Sequence, residues 1–355
     1  MKHHFAIRAA LWGALIAALP AAAQSSALDR AVAVKGSEER PRNRLGLGYR
    51  MGFNMPVSFK NLGGYPALST GQVTPDGAPF NYDNGYVLED SSHNAGGSTW
   101  NWGYNDASQV LGNQLLMQRS SSPATGYSND HYDTPTSGLE LTYNRELITK
   151  KSWRGGLEGA FGYNHLHVRD AGTQSATVNR VTDSYTFQGV PGAQPPPGYR
   201  GTFNGPGEFL SASPSSSASD TSQAGSITGS HDFSANLYNF RFGPYVEFPL
   251  TERIAFGLSG GFALMFVTSE FSYSETVTIP GVGSVDHDAS GSASDWLPGG
   301  YVAGHFSVAL SEAWSVMAGA QFQDVGRYTQ TLNGKQATLD LRRAIFVTIG
   351  VSYSF

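Results

Sequence analysis

The chain has 355 residues, a formal net charge of -5, only 14% charged residues and no cysteine. The missing cysteines exclude disulfide, iron–sulfur and thiolate-zinc chemistry, and the acidic balance, with no Lys/Arg-rich run, excludes a nucleic-acid surface. Forty-three glycines and 12% aromatics suit an all-β chain with many turns and loops.

The chain opens with a basic stretch (Lys2, Arg8), an apolar run "ALWGALIAALP" and a small-residue "AAA" before Gln24. That order predicts a cleaved signal peptide over 1–23, followed by a polar periplasmic lead-in over 24–43. No later stretch of about 18 apolar residues occurs, so no helical membrane span is expected.

From there the sequence alternates with period two, which places successive side chains on opposite faces of a strand. "LGLGYRMGFN" sets Leu45, Leu47 and Tyr49 against Gly46, Gly48 and Arg50. "GLELTYNREL" sets Leu139, Leu141 and Tyr143 against Glu140, Thr142, Asn144 and Glu146. "WRGGLEGAFGY" sets Trp153, Leu157, Phe161 and Tyr163 against Arg154 and Glu158. In "YNFRFGPYVEFPL", Tyr238, Phe240, Phe242, Val246 and Phe248 oppose Asn239, Arg241, Tyr245 and Glu247. "IAFGLSGGFALMF", "YVAGHFSVAL" and "AWSVMAGAQFQ" repeat the beat. The last strand reads back from Phe355 through Tyr353, Val351 and Ile349 to Leu341 and Leu339, about 17 residues, against Arg342 and Asp340.

Eight such strands result. "TKKS", "LTER" and "SE" join them as tight turns, whereas about 60–136, 170–229 and 276–294 read as long loops. Long amphipathic strands with turns short at one end and long at the other predict a closed antiparallel transmembrane β-barrel of eight strands over 44–355, with ten as the alternative. One face then meets lipid, and closure satisfies the backbone. Aromatics near the strand ends (Trp153, Phe248, Trp314, Tyr353 and Phe355 at the turns; Phe271, Tyr273, Trp296 and Tyr328 at the loops) read as two interfacial girdles.

On these residues the chain resembles the eight-stranded outer-membrane barrels of the OmpA-like and OmpX-like group. The terminal "VSYSF" is similar to the β-signal read by the barrel-assembly machinery, with Val351, Tyr353 and Phe355 in the signal positions. The resemblance implies the cell outer membrane, contact with its lipid and lipopolysaccharide, long extracellular loops, and both mature termini in the periplasm. The sequence ends at the barrel's last residue, so the C-terminal peptidoglycan-binding domain of OmpA is not expected.

The inward parity collects Arg50, Glu140, Glu146, Arg154, Glu158, Arg241, Glu247, Asp340 and Arg342. Eight strands leave an interior just wide enough for side chains, so paired charges predict a plugged polar lumen; a gated passive channel is the alternative. For chemistry, "GHFS" offers His305 and Ser307 on one face, which resembles the His-x-Ser pair of eight-stranded outer-membrane lipid A deacylases. The pair has inward parity, away from lipid, and the nearby acids Asp324 and Glu312 are out of register. His165 and His167 share a face, and "NDHYD" adds further acidic and imidazole groups, but both fall where strand runs into loop. No enzyme, no metal site and no cofactor are therefore expected.

The first long loop carries "TWNWGY". Its alternation predicts Trp100, Trp102 and Tyr104 on one strand face, packed within the loop or open to an extracellular glycan or protein ligand. The second loop, with "GVPGAQPPPGYR" and "SASPSSSASDTSQAG", is too poor in apolar residues to order itself and predicts a disordered tip. A structural or surface-interaction protein is the functional expectation.

Overall fold

The computed structural model describes residues 42–67, 81–88, 96–132, 135–189, 194–202 and 208–355. The expected signal peptide and nearly all of the lead-in lie outside these residues.

Eight strands form the wall: β1 (Asn43–Phe53), β2 (Thr136–Thr149), β3 (Arg154–Thr186), β4 (Ser216–Pro249), β5 (Ile254–Ile279), β6 (Gly283–Ala309), β7 (Trp314–Asp324) and β8 (Ala344–Ser354). Each pairs antiparallel with the next, and β8 pairs with β1, so the ring is closed. The seam is finished by two backbone hydrogen bonds, Asn43 N–H to Phe355 O at 3.1 Å and Phe355 N–H to Asn43 O at 2.9 Å. An exposed apolar belt rings the short-turn end: Leu47, Leu139, Phe242, Phe262, Val302, Phe306 and Ile349 all face outward. A closed hydrogen-bond ring inside such a belt is a transmembrane β-barrel.

The wall strands differ in length from the sequence expectation. β3 and β4 run for 33 and 34 residues, so strand continues through most of the segments read as loops over 170–229 and 276–294. The Ser-rich run expected to be disordered lies largely in β4. The physical reason is cross-strand pairing: β3 and β4 satisfy each other's backbone from Arg154–Glu247 to Ser184–Ser216, and a serine face turned to water needs no apolar burial of its own. The last strand is shorter than expected. It is interrupted at Leu341–Arg343, separating Lys335–Asp340 from β8, and Leu339 and Leu341 are buried rather than lipid-facing.

The long strands keep one register up to Val178, where β3 and β4 shift by one residue, but within that stretch the chemistry of the two faces inverts. On β4 the belt region is apolar outside (Phe240, Phe242) and polar inside (Asn239, Arg241). Beyond Leu237 the inside becomes apolar (Leu237, Ala235, Phe233) and the outside polar (Asn236, Ser234, Asp232). β5 changes in the same way, from Ser259 inside and Phe262 outside to Met265, Val267 and Phe271 inside and Glu270 and Ser272 outside. The belt region is inside-out, as lipid requires. The outer region is a water-soluble barrel.

The outer barrel is filled. Val57–Leu62, Gly126–Tyr127, Arg327–Leu332 and Lys335–Asp340 form a four-stranded sheet. Its Val57, Phe59, Leu62, Ala337 and Leu339 pack with Phe233, Leu237, Met265 and Phe271 of the wall. Phe271, Tyr273 and Tyr328 belong to this core, so they are not part of an outer aromatic girdle. Trp296 is, its ring tilted against that of Phe266 at 4.6 Å. Further out, Gln114–Ser121 pairs with β3 from Asn179 to Thr186, on the edge that β2 no longer reaches. The ring itself stays at eight.

Candidate functional site

Inside the belt, Arg241 Nη2 lies 3.0 Å from Glu140 Oε2, and Arg50 Nη1 lies 3.1 Å from the same oxygen. Arg241 Nη1 is 3.8 Å from Glu158, whose carboxylate also accepts from Asn144 at 2.9 Å and Ser259 at 3.0 Å. The Arg50 guanidinium lies 3.8 Å above the Phe346 ring, and Arg241 sits 4.9 Å from that of Tyr301, both favourable for a cation. This accounts for Phe346, the one large apolar residue on the inward parity of β8. Gly162 makes room for Arg50: a Cβ there would sit 1.7 Å from Nη1.

Nearer the short-turn end, Glu247 is fully buried between Arg44 at 2.7 Å and the Arg154 Nε at 2.9 Å, with His305 Nε2 at 3.8 Å. Arg44 was legible: it stands two steps down the parity that runs through Gly46, Gly48 and Arg50. Glu146 sits at the rim, hydrogen-bonded by Thr149. A cavity of about 50 Å³ remains between the two clusters, lined in part by His305, Ser307 and Gln321. That is room for a few waters. His305 and Ser307 both face this interior.

Asp340 and Arg342 do not join the lumen network. They pair with each other at the base of the outer hairpin, Arg342 Nε donating to Asp340 at 2.9 Å and Arg327 Nε at 3.0 Å. The break at Leu341 takes them off the register that would have pointed them inward. Hydrogen bonds from Arg342 hold the Asp340 carboxyl well below the ordinary carboxylate range.

The loop aromatics divide. Trp102 and Tyr104 form a short strand with Gly85–Val87 and are buried, their rings 5.9 Å apart. Trp102 packs on Phe187 and Tyr199 and donates from Nε1 to Glu208 O at 2.8 Å; Tyr104 donates to Pro195 O. Trp100 lies in a bend before the strand begins, so it leaves the shared face and rests on Phe209, 4.6 Å away. The proline-rich segment 194–202 therefore covers the first loop.

Val351, Tyr353 and Phe355 all point outward, and Tyr353 lies 5.1 Å from Trp314.

The outer histidines do not gather as the sequence pairs them. His165 meets Asn236 at 3.0 Å, and His167 is 3.8 Å from Asp232, both on the exposed outer face. His131, from "NDHYD", instead lies 3.2 Å from Asp170, and Asp133 falls outside the described residues. Asp170 continues to His231 at 3.7 Å, His231 to Glu275 at 2.7 Å, and Glu275 to Lys335 at 3.1 Å. Burial opposes charge on Glu275, but hydrogen bonds from His231, Lys335 and the Gly63 amide outweigh it and hold this carboxyl, well beyond the belt, below its usual range. Local pattern carries no sign of this chain of contacts, because its members, from His131 to Lys335, sit on five different segments.

No protein-family model matches the chain, and no curated protein matches its sequence. Among solved structures, it is similar to Ail, the attachment invasion locus protein of Yersinia pestis, in complex with the heparin analogue sucrose octasulfate. That match has 10% identity, covers 89% of this chain and 99% of Ail, and has a TM-score of 0.31. The outer membrane protease OmpT of Escherichia coli matches at 10% identity over 88% of this chain and 96% of its own, with a TM-score of 0.31. The toluene transporter TodX of P. putida matches at 8% identity over 88% and 90%, with a TM-score of 0.18. The fold rests on the closed hydrogen-bonded ring, not on these likenesses.

Proposed function

We propose that the chain is an integral outer-membrane barrel that conducts nothing and holds a rigid outer stalk for surface contacts. The short turns and both mature termini face the periplasm; the filled outer barrel faces the exterior. The carrying observation is the inversion at Leu237, because it closes the lumen twice. Below it, Arg50, Glu140, Glu158 and Arg241 fill the interior with paired charge. Above it, a dry core of Phe59, Phe233 and Phe271 fills the mouth.

The length of the strands supports the stalk. An apolar belt needs about 25 Å, whereas 33 residues at roughly 3.3 Å each, tilted by about 40°, rise about 80 Å. Most of β3 and β4 therefore serves something other than spanning lipid. Insertion by the barrel-assembly machinery, contact with lipopolysaccharide, and a glycan or protein ligand at the outer end follow from this reading, with no catalytic residue assigned. Planar-bilayer recording tests it: the purified protein should add no stepwise conductance. Reproducible unitary steps would replace this reading with that of a small passive channel.

A further inference from the structure

The outer mouth contains a niche whose back is three cross-strand pairs of β3 and β4: Asp170 opposite His231, Gly172 opposite Gly229, and Gln174 opposite Ile227. Gly172 makes the hollow. A Cβ on Gly172 would meet nothing within 4 Å. The segment from Tyr127 to His131 forms the front, and the volume of this open niche is about 470 Å³, within the roughly 300–1,000 Å³ of small-ligand pockets. β2 leaves the edge of β3 at His165 and Gln114–Ser121 takes it up at Asn179. No described strand pairs with that edge between them, so the niche opens sideways.

The base of the niche has an unmet demand. Glu275 accepts from Lys335 at 3.1 Å, from the Gly63 amide at 3.0 Å and from His231 Nε2 at 2.7 Å. A carboxylate only accepts, so Nε2 carries a proton toward Glu275, and Nδ1 is the ring atom left to find a partner. That Nδ1 has no hydrogen-bond partner, in a residue 4% exposed, and it faces Asp170 Oδ2 at 3.7 Å. That separation is too long for a hydrogen bond, and a buried polar atom left without a partner is unfavourable.

We propose that this niche binds a neutral polyhydroxylated ligand, a hexose-sized unit of an extracellular glycan. A hydroxyl both donates and accepts, so neighbouring hydroxyls can bond to His231 Nδ1 and donate to Asp170 together. The amides of Asn129 and Gln174, also on the lining, supply mixed donors and acceptors for the other hydroxyls. Tyr127, 67% exposed, offers an apolar ring face for sugar C–H groups. A sulfated or phosphorylated group is disfavoured, since it brings negative charge against the Asp170 carboxylate. A lone metal ion fits worse: the volume far exceeds an ion, and among the described residues no three ligating side chains converge.

The proposal takes from the functional reading only that this mouth faces the exterior. The test uses the full-length mature protein in nanodiscs, titrated with glucose, galactose, mannose and N-acetylglucosamine and followed by saturation-transfer NMR. Saturable binding of at least one is expected, about tenfold weaker in Asp170→Asn and lost in Gly172→Leu, a change that fills the hollow from open space. Heat-modifiability on gels checks that both variants are folded. No saturation by any of the four, binding that survives Gly172→Leu, or tighter binding of glucose 6-sulfate than of glucose would overturn the proposal. So would a saturable response to Zn²⁺ with none to the sugars. Binding by nanodiscs but not by intact cells would uphold the niche and overturn the outward orientation.

Discussion

Arg241 and Arg50 share one oxygen of Glu140, at 3.0 and 3.1 Å, and all three side chains are buried in the belt region. With Glu158 on the other side of Arg241, two guanidiniums face two carboxylates, so removing any member leaves an unbalanced charge where water is scarce.

Arg241→Ala should therefore destabilise the barrel by about 3–5 kcal/mol, the scale for breaking a buried pair from one side. Glu140→Ala should be at least as damaging, because it leaves Arg50 and Arg241 facing each other with only Glu158 in reach. Urea unfolding in liposomes, read by tryptophan fluorescence, measures both. Neither variant should conduct in a planar bilayer, since the apolar core of the outer mouth is untouched. An unchanged midpoint for Arg241→Ala would mean that the lumen is solvated, and the plug would fail as an explanation.

The two loop tryptophans should respond unequally. Trp102 is fully buried against Phe187 and Tyr199, and truncating a core Trp costs about 3–5 kcal/mol. Trp102→Ala should expose the first loop to protease on intact cells while the belt region stays folded. Trp100→Ala, outside the buried aromatic pair and packed on Phe209, should leave the digestion pattern closer to that of the wild type. Equal sensitivity of the two would contradict the division seen between them.

What the sequence could tell followed from its alternation. Eight strands, their inward charges and the C-terminal β8 were legible because lipid outside and a narrow lumen inside impose opposite chemistries on alternate residues. The same rule hid the outer barrel. Once water replaces lipid the outward face turns to serine and threonine, and "SASDTSQAG" then reads as coil although it pairs with β3 on both sides of a one-residue register shift. Asp340 and Arg342 were placed in the lumen because their parity matches that of β8; the break at Leu341–Arg343, which carries no glycine or proline, is set by the hairpin's packing into the mouth. The Asp170–His231–Glu275 contacts depend on register between distant strands, which local pattern does not contain.

Glu275 gives the outer mouth a pH dependence whose sign is fixed. Its folded pKa lies below the ordinary value of 4.5, so its stabilising contribution is fully present above about 4.5 and is lost as pH falls through the folded value. It holds the amide of Gly63, next to the strand Val57–Leu62. Hydrogen exchange in that strand should accelerate when pH drops from about 6 to about 3, after correction for the intrinsic rate. Glu275→Gln should exchange faster at the higher pH and lose most of the dependence.

Deleting Phe355 should impair assembly more than stability. Its side chain is exposed, with its ring 6.1 Å from that of Tyr353 on the outer face, so little packing is lost. Its backbone is another matter: its N–H and C=O both pair with Asn43 and complete the seam between β8 and β1. The truncated chain loses two terminal hydrogen bonds, each worth about 0.5–1.5 kcal/mol net, which a closed eight-stranded ring should tolerate. If Val351, Tyr353 and Phe355 form the signal read during insertion, the loss in cells should be far larger than that. Outer-membrane levels should fall sharply, while protein refolded from inclusion bodies into detergent should regain its heat-modifiable band. Phe355→Ala, which keeps the seam bonds and removes only the ring, should behave like the deletion in cells and like wild type in detergent. Normal outer-membrane levels for both variants would remove the signal role from Phe355 and leave it as the last residue of the seam.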